Sequence, residues 1–299
     1  MSRPDAAVAV PDVAAIESVI RRAIDERRPD LIPAIGNGEF SIAMRWDAGD
    51  GASVVKRVPP FRSRSAANQY VDLVREHLDD LRGRGVRCVT TDLHILDRSD
   101  GSAVVYHAQP LLNSDQLADR ILANSAPTDE HPVLTTVVDI IVRVVGAGTP
   151  LDSQFANWYW FENEAWQLDF STPLMLNEKG RIRFDATGFQ REYPALTRRL
   201  VYRELMKIAP RYSDTKFVLT DNMVQLYRQG LDFWDTALAD AAQRRHGLEI
   251  SRVEARKRFD EDAKFYPTLL RLKRLQRGWI QATHRRYDTL LPAVTSFGN

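Results

Sequence analysis

A single cysteine among 299 residues excludes an internal disulfide framework and any zinc site built from several cysteines. Cys88 lies in the apolar-rich RCVTTDLHIL and reads as a buried structural thiol rather than a nucleophile. Histidine is scarce too: the six residues are scattered, with no pair at ligand spacing, so no zinc is assigned. No apolar run is long enough to span a bilayer. The opening MSRPDAAVAVPDVAAIE carries acids at Asp5 and Asp12, where a secretory leader would be basic and then apolar. A cytoplasmic protein with no membrane partner is therefore expected. There is no Gly-x-Ser-x-Gly elbow and no Cys/His pair to support acyl transfer.

What is present is an ordinary globular composition, 44% hydrophobic and 27% charged, in a chain long enough for one large domain or two modest lobes. The net charge of +1 hides an asymmetry. Between Arg244 and Arg286 there are 13 Lys and Arg against 5 Asp and Glu, a local +8 that leaves about −7 elsewhere. This stretch reads either as a solvated outer face or as a docking surface for an anionic partner at 244–286, with nucleic acid the less favoured one.

Periodicity gives the order of elements. Val13, Ile16, Val19, Ile20 and Ile24 share a helical face within residues 12–28. LIPAIGNGEFSIAMRW predicts two strands joined by a turn at Gly36-Asn37-Gly38, and ASVVKRV a third strand around Lys56. Residues 65–82 are helical in pattern, on Tyr70, Leu73, Val74, Leu78 and Leu81. Strands follow around RCVTTDLHILDR and SAVVYHAQ, linked by Arg98-Ser99-Asp100-Gly101. After Pro110 the pattern changes to a short helix led by Ser114, then a buried helix over 132–146, and mostly helix from 190 to 292. The expectation is an α+β protein. A sheet-rich N-terminal lobe with one inserted helix spans residues 1–110, and a larger helical lobe spans 111–299.

The segment LDSQFANWYWFENEAWQLDFST, residues 151–172, is the strand-like part of the second lobe. It places Asp152 in a loop and Asn157 five residues later, then a hairpin, then Asp169-Phe170 at a strand end. Trp158, Tyr159, Trp160 and Trp166 read as packing on that hairpin. Together with the Gly36–Gly38 turn, Lys56 on a strand and Glu76 on the inserted helix, these residue types meet the needs of phosphoryl transfer. Backbone can approach phosphates, an ammonium neutralises them, a carboxylate and an amide hold metal, and a second carboxylate orients a hydroxyl. Asp72, one turn before Glu76, is its rival.

In that order the residues resemble the protein-kinase-like superfamily, and its aminoglycoside-phosphotransferase-like branch more than the protein kinases proper. The resemblance runs from about Leu31 to Phe184. It implies a two-lobed protein-kinase-like fold, ATP or GTP with Mg²⁺, and a small-molecule or biosynthetic-peptide acceptor. It puts nucleotide on Gly36, Asn37, Gly38 and Lys56, and along the backbone from Tyr106 to Leu112, near His107, Gln109 and Leu111. Glu76 becomes the partner of Lys56, Asp152 the base, and Asn157 and Asp169 the metal ligands. Departures accompany it. Pro150-Leu151 stands in place of His-Arg, Ser41 and Ser171 replace glycines, and no Ala-Pro-Glu or long activation segment follows. The expected activity is transfer of a γ-phosphoryl group to a hydroxyl. A nucleotide-binding scaffold without turnover and a nucleotidyltransferase are the alternatives.

Overall fold

The computed structural model describes residues 2–37, 41–48, 51–183 and 206–283, with residues 198 and 203 besides. The first helix, α1 (Val13–Asp25), starts where Asp12 accepts the backbone N–H groups of Ala14 and Ala15. Its stripe of Ile16, Ile20, Ala23 and Ile24 packs on one face of a sheet against Met44, Val55, Val104 and Tyr106. Glu17 lies in the same buried stripe. It accepts two bonds from Arg57, at 2.8 and 3.0 Å, and one from the Tyr106 hydroxyl. A buried carboxylate persists there because a guanidinium meets both of its oxygens.

The strands are β1 (Ala34–Asn37), β2 (Ile42–Ala48), β3 (Gly51–Arg57), β4 (Arg87–Cys88), β5 (Asp92–Asp97), β6 (Ala103–Pro110), β7 (Trp158–Phe161) and β8 (Glu164–Gln167). Five of them form an antiparallel sheet in the order β1-β2-β3-β6-β5. Strand alternation sends Arg57 to the α1 side and Lys56 to the opposite face. RCVTTDLHILDR, read as one strand, is two. β4 leaves the large sheet and pairs in parallel with β8, while β5 stays with β6.

The second helix, α2 (Arg64–Gly83), is capped by Ser63 and buries Tyr70, Leu73, Val74, His77, Leu78 and Leu81. Further helices among the described residues are α3 (Ala118–Ala123), α4 (Pro132–Gly146), α5 (Thr215–Arg228), α6 (Asp235–His246) and α7 (Arg252–Ala282). The cap expected at Ser114 is instead Asn113, which opens a 3₁₀ turn before α3. One continuous core joins α2 to α4, α5 and α6 through Val74, Leu81, Val137, Ile141, Val224 and Leu238. Pro110 ends the last strand of the five-stranded sheet, yet the packing carries across it through this core and through the β4–β8 pairing. The protein is thus α+β, an antiparallel sheet joined to a helical region. Among the described residues, no helix is long and apolar enough to cross a membrane.

The start of the basic stretch is largely neutralised inside the chain. Arg245 and His246 meet Asp139, Arg252 meets Asp235, Arg256 meets Asp232, and Arg258 meets Asp221. Arg244 pairs with Asp129. These acids sit on α4, α5, α6 and the loops beside them, so this part of the run fastens α6 and α7 to the helical region. Its positive count overstates the charge left for a partner.

Candidate functional site

Lys56 enters the space between sheet and helices from β3, and its Nζ lies 3.2 Å from Asp169 Oδ2. Asp169 arrives there because β7 and β8 form a tight hairpin. Glu162 and Asn163 both take positive φ at its tip, the conformation a two-residue type I′ turn requires. Trp158, Tyr159 and Trp166 are buried, so the aromatics of the hairpin pack as expected. The hairpin is held to the sheet side by Gln109, whose side chain donates to the Leu168 carbonyl at 2.7 Å and to Thr91 Oγ1 at 2.9 Å.

Asp152 stands in the loop between α4 and β7, with the Gln154 side-chain amide donating to its Oδ1 at 3.1 Å. Asn157 and Gln167 each aim a side-chain N–H at the Asp152 carbonyl, at 3.5 and 3.4 Å. Below the loop, Asn222 of α5 donates to Ser153 Oγ at 2.7 Å, and the Trp158 indole donates to the Ser153 carbonyl at 3.1 Å. The loop is therefore fixed from two sides.

The two carboxylates are pushed in opposite directions. Burial raises the Asp152 carboxyl to about 7, and the charges of Asp169 and Asp221 add to the effect. Burial would raise Asp169 as well. Lys56 and the bonds from the Ser171 N–H and hydroxyl, at 2.9 and 2.7 Å, outweigh it and hold Asp169 at about 2. Near neutral pH, one acid is poised to exchange a proton and the other stays ionised. Such separated carboxylates mark acid–base assignments.

Other expected residues fall differently. Glu76 does not pair with Lys56: it is exposed on the outer side of α2, where Arg183 grips both of its oxygens at 2.5 and 2.7 Å. The reason is helical phase. Buried Tyr70, Val74, His77 and Leu81 define the inner face of α2, and residue 76 falls outside it. Asp72, its rival, is exposed as well and meets Arg75. Gly36 and Asn37 belong to β1, opposite Ala43 and Ile42, rather than to a turn, and Gly38 lies outside the described residues. His107 is buried directly across from Lys56, and burial lowers its imidazole to about 4. Leu111 follows the end of β6 and is half-buried. After Asp169, Leu176 and Ile182 form an isolated bridge.

Sequence reasoning missed Tyr70, Ser171 as a ligand of Asp169, and the Ser153–Asn222 anchor. Tyr70 was visible as a core position of α2, although apolar spacing says nothing of where a hydroxyl points.

Among the described residues, no group of three or more His, Cys, Asp or Glu is placed to hold a metal. What stands together here is two carboxylates, Asp152 and Asp169, with the Asn157 amide on the Asp152 carbonyl. No curated protein matches this sequence. A family model described as a family of unknown function, DUF6206, matches residues 15–277, and the chain belongs to that family.

Proposed function

We propose that the cleft binds a magnesium nucleotide and transfers its terminal phosphoryl group to a hydroxyl, within a two-lobed kinase-like fold. The observation that carries this reading is the meeting of Lys56 and Asp169 at 3.2 Å beside Asp152. A sheet lysine converges with a loop acid and a strand-end acid that lie about a hundred residues further along the chain. The donor set suits magnesium, which takes hard oxygen ligands and is commonly held by one or two carboxylates plus substrate phosphates. Asp169 and Asn157 would hold it, and when bound it supplies neutralisation of phosphate charge. Lys56 would exchange part of its contact with Asp169 for phosphate oxygens. Asp152, with a pKa near working pH, accepts the proton of the acceptor hydroxyl, which is where a general base is most effective.

One observation favours the rival reading of a binding scaffold without turnover: Glu76 faces away from Lys56. Against it stands the opposed tuning of Asp152 and Asp169, which simple binding does not need. Titrating wild type, Asp169→Asn and Asp152→Asn with ATP and GTP, with and without Mg²⁺, tests the proposal. Wild type should bind in a metal-dependent way, Asp169→Asn should lose that dependence, and Asp152→Asn should keep the affinity. No binding by wild type, or equal loss in both variants, would defeat it.

A further inference from the structure

Tyr70 is the point at which α2 touches the cleft. It is 2% exposed, and its hydroxyl lies 2.8 Å from the Ser171 carbonyl and 2.9 Å from His107 Nε2. A phenol has one proton, and a carbonyl can only accept, so that proton goes to Ser171. The second contact must then be an N–H of His107 donated to the phenol oxygen, which fixes the imidazole as its Nε2-protonated tautomer. His107 sits across the β3–β6 pair from Lys56, Lys56 meets Asp169, and Asp169 takes two bonds from Ser171. The contacts close a ring through β3, β6, α2 and the segment after β8.

We propose that Tyr70 is a positioning residue: through Ser171 and His107 it fixes Asp169 and Lys56 relative to each other, so that the seating of α2 governs metal-dependent nucleotide binding. This rests on the phosphotransferase reading above. It gives α2 a link to the cleft that Glu76, on the other side of the helix, does not make. The link is neutral, so it adds no second counter-charge to Lys56, whose ammonium remains for Asp169 and for phosphate. The ring of Tyr70 is held independently by packing on Phe61, with centroids 4.9 Å apart. Losing the hydroxyl therefore need not displace the ring.

Tyr70→Phe keeps that packing but leaves the Ser171 carbonyl and the His107 N–H without their partner. The Mg²⁺ concentration that half-saturates nucleotide binding should rise about tenfold, the equivalent of about 1.4 kcal/mol, while affinity measured without metal stays unchanged. His107→Leu, which removes the donor but leaves the Tyr70–Ser171 bond, should shift it in the same direction by less, and it carries the test if Tyr70→Phe fails to fold. A purely structural role would lower the melting temperature and leave the Mg²⁺ requirement alone. Intact wild-type binding with an unchanged requirement in both variants would overturn the role of Tyr70 only. No metal-dependent binding in wild type would overturn the phosphotransferase reading and this role with it. Imidazole ¹⁵N spectra give a readout free of nucleotide: wild-type His107 should carry its proton on Nε2, and a proton on Nδ1 instead would overturn the ring of contacts.

Discussion

Asp152→Asn should make the protein more stable while removing its proposed base. In the folded chain the carboxyl titrates near 7, against 3.8 for an unperturbed aspartate, because burial and two neighbouring acids oppose its charge. Each pKa unit corresponds to 1.36 kcal/mol, so an Asp152 ionised in both folded and unfolded states costs about 4 kcal/mol. The side chain is half-buried rather than sealed. Solvent screening reduces the figure, and about 2 kcal/mol is the working expectation. The sign follows from the raised folded pKa. Above pH 7 both states are ionised and the cost is full. Between pH 7 and pH 4 the folded protein takes up a proton and the cost recedes, and below that range it vanishes. Asparagine keeps the shape and removes the charge.

The assay is thermal unfolding of wild type and variant from pH 4.5 to pH 9. At about 2 °C or more per kcal/mol for a chain of this size, the variant should melt about 4 °C higher at pH 8 and level with wild type near pH 4.5. A variant that is less stable at pH 8, or a difference that does not change with pH, would refute the electrostatic account of the loop.

Two further substitutions probe the frame around the cleft. Glu17→Ala removes the carboxylate that meets the buried Arg57 guanidinium and should cost about 3–5 kcal/mol, read from the urea midpoint; a loss below about 1 kcal/mol would show that this pair adds little to the seating of α1. Burial opposes the Glu17 charge but Arg57 overcomes it and lowers its pKa, so this contribution should be full above the ordinary glutamate range and fade as acid protonates it. Glu76→Ala removes an exposed pair with Arg183 and should change stability by no more than about 1 kcal/mol and leave nucleotide affinity as it was. A large loss of affinity would restore Glu76 to the site.

Much of the frame is legible in the sequence because it rests on periodicity. The helix expected over 132–146 is α4 (Pro132–Gly146), and the aromatic hairpin falls on β7 and β8. Strand-scale apolar pattern could not separate β4 from β5, since both belong to one apolar-rich run and only the distant partner of β4, Trp166 and Gln167 on β8, divides them. For the candidate site, residue type and order point to Asp152, Asn157, Asp169 and Lys56, of which the structure brings Lys56 and Asp169 into contact with Asp152 nearby. Glu76 was chosen by distance from Lys56 in sequence, although the spacing that places Tyr70 and Val74 inside already puts residue 76 outside. The bond from the Tyr70 hydroxyl to the Ser171 carbonyl depends on residues 101 apart meeting in space, which no local pattern records, whereas the donors of Ser171 lie only two residues from Asp169. The acids that meet the start of the basic stretch lie on other helices and loops, out of reach of a local charge count.

A crystal of the protein soaked with a non-hydrolysable ATP or GTP analogue and Mg²⁺ would show where nucleotide and metal bind. On this account the terminal phosphates lie within hydrogen-bond reach of Lys56 Nζ, the metal sits on Asp169 and Asn157, and Asp152 faces the terminal phosphorus without touching metal. Nucleotide bound outside this cleft, or a metal held by Asp152 in place of Asp169, would contradict it.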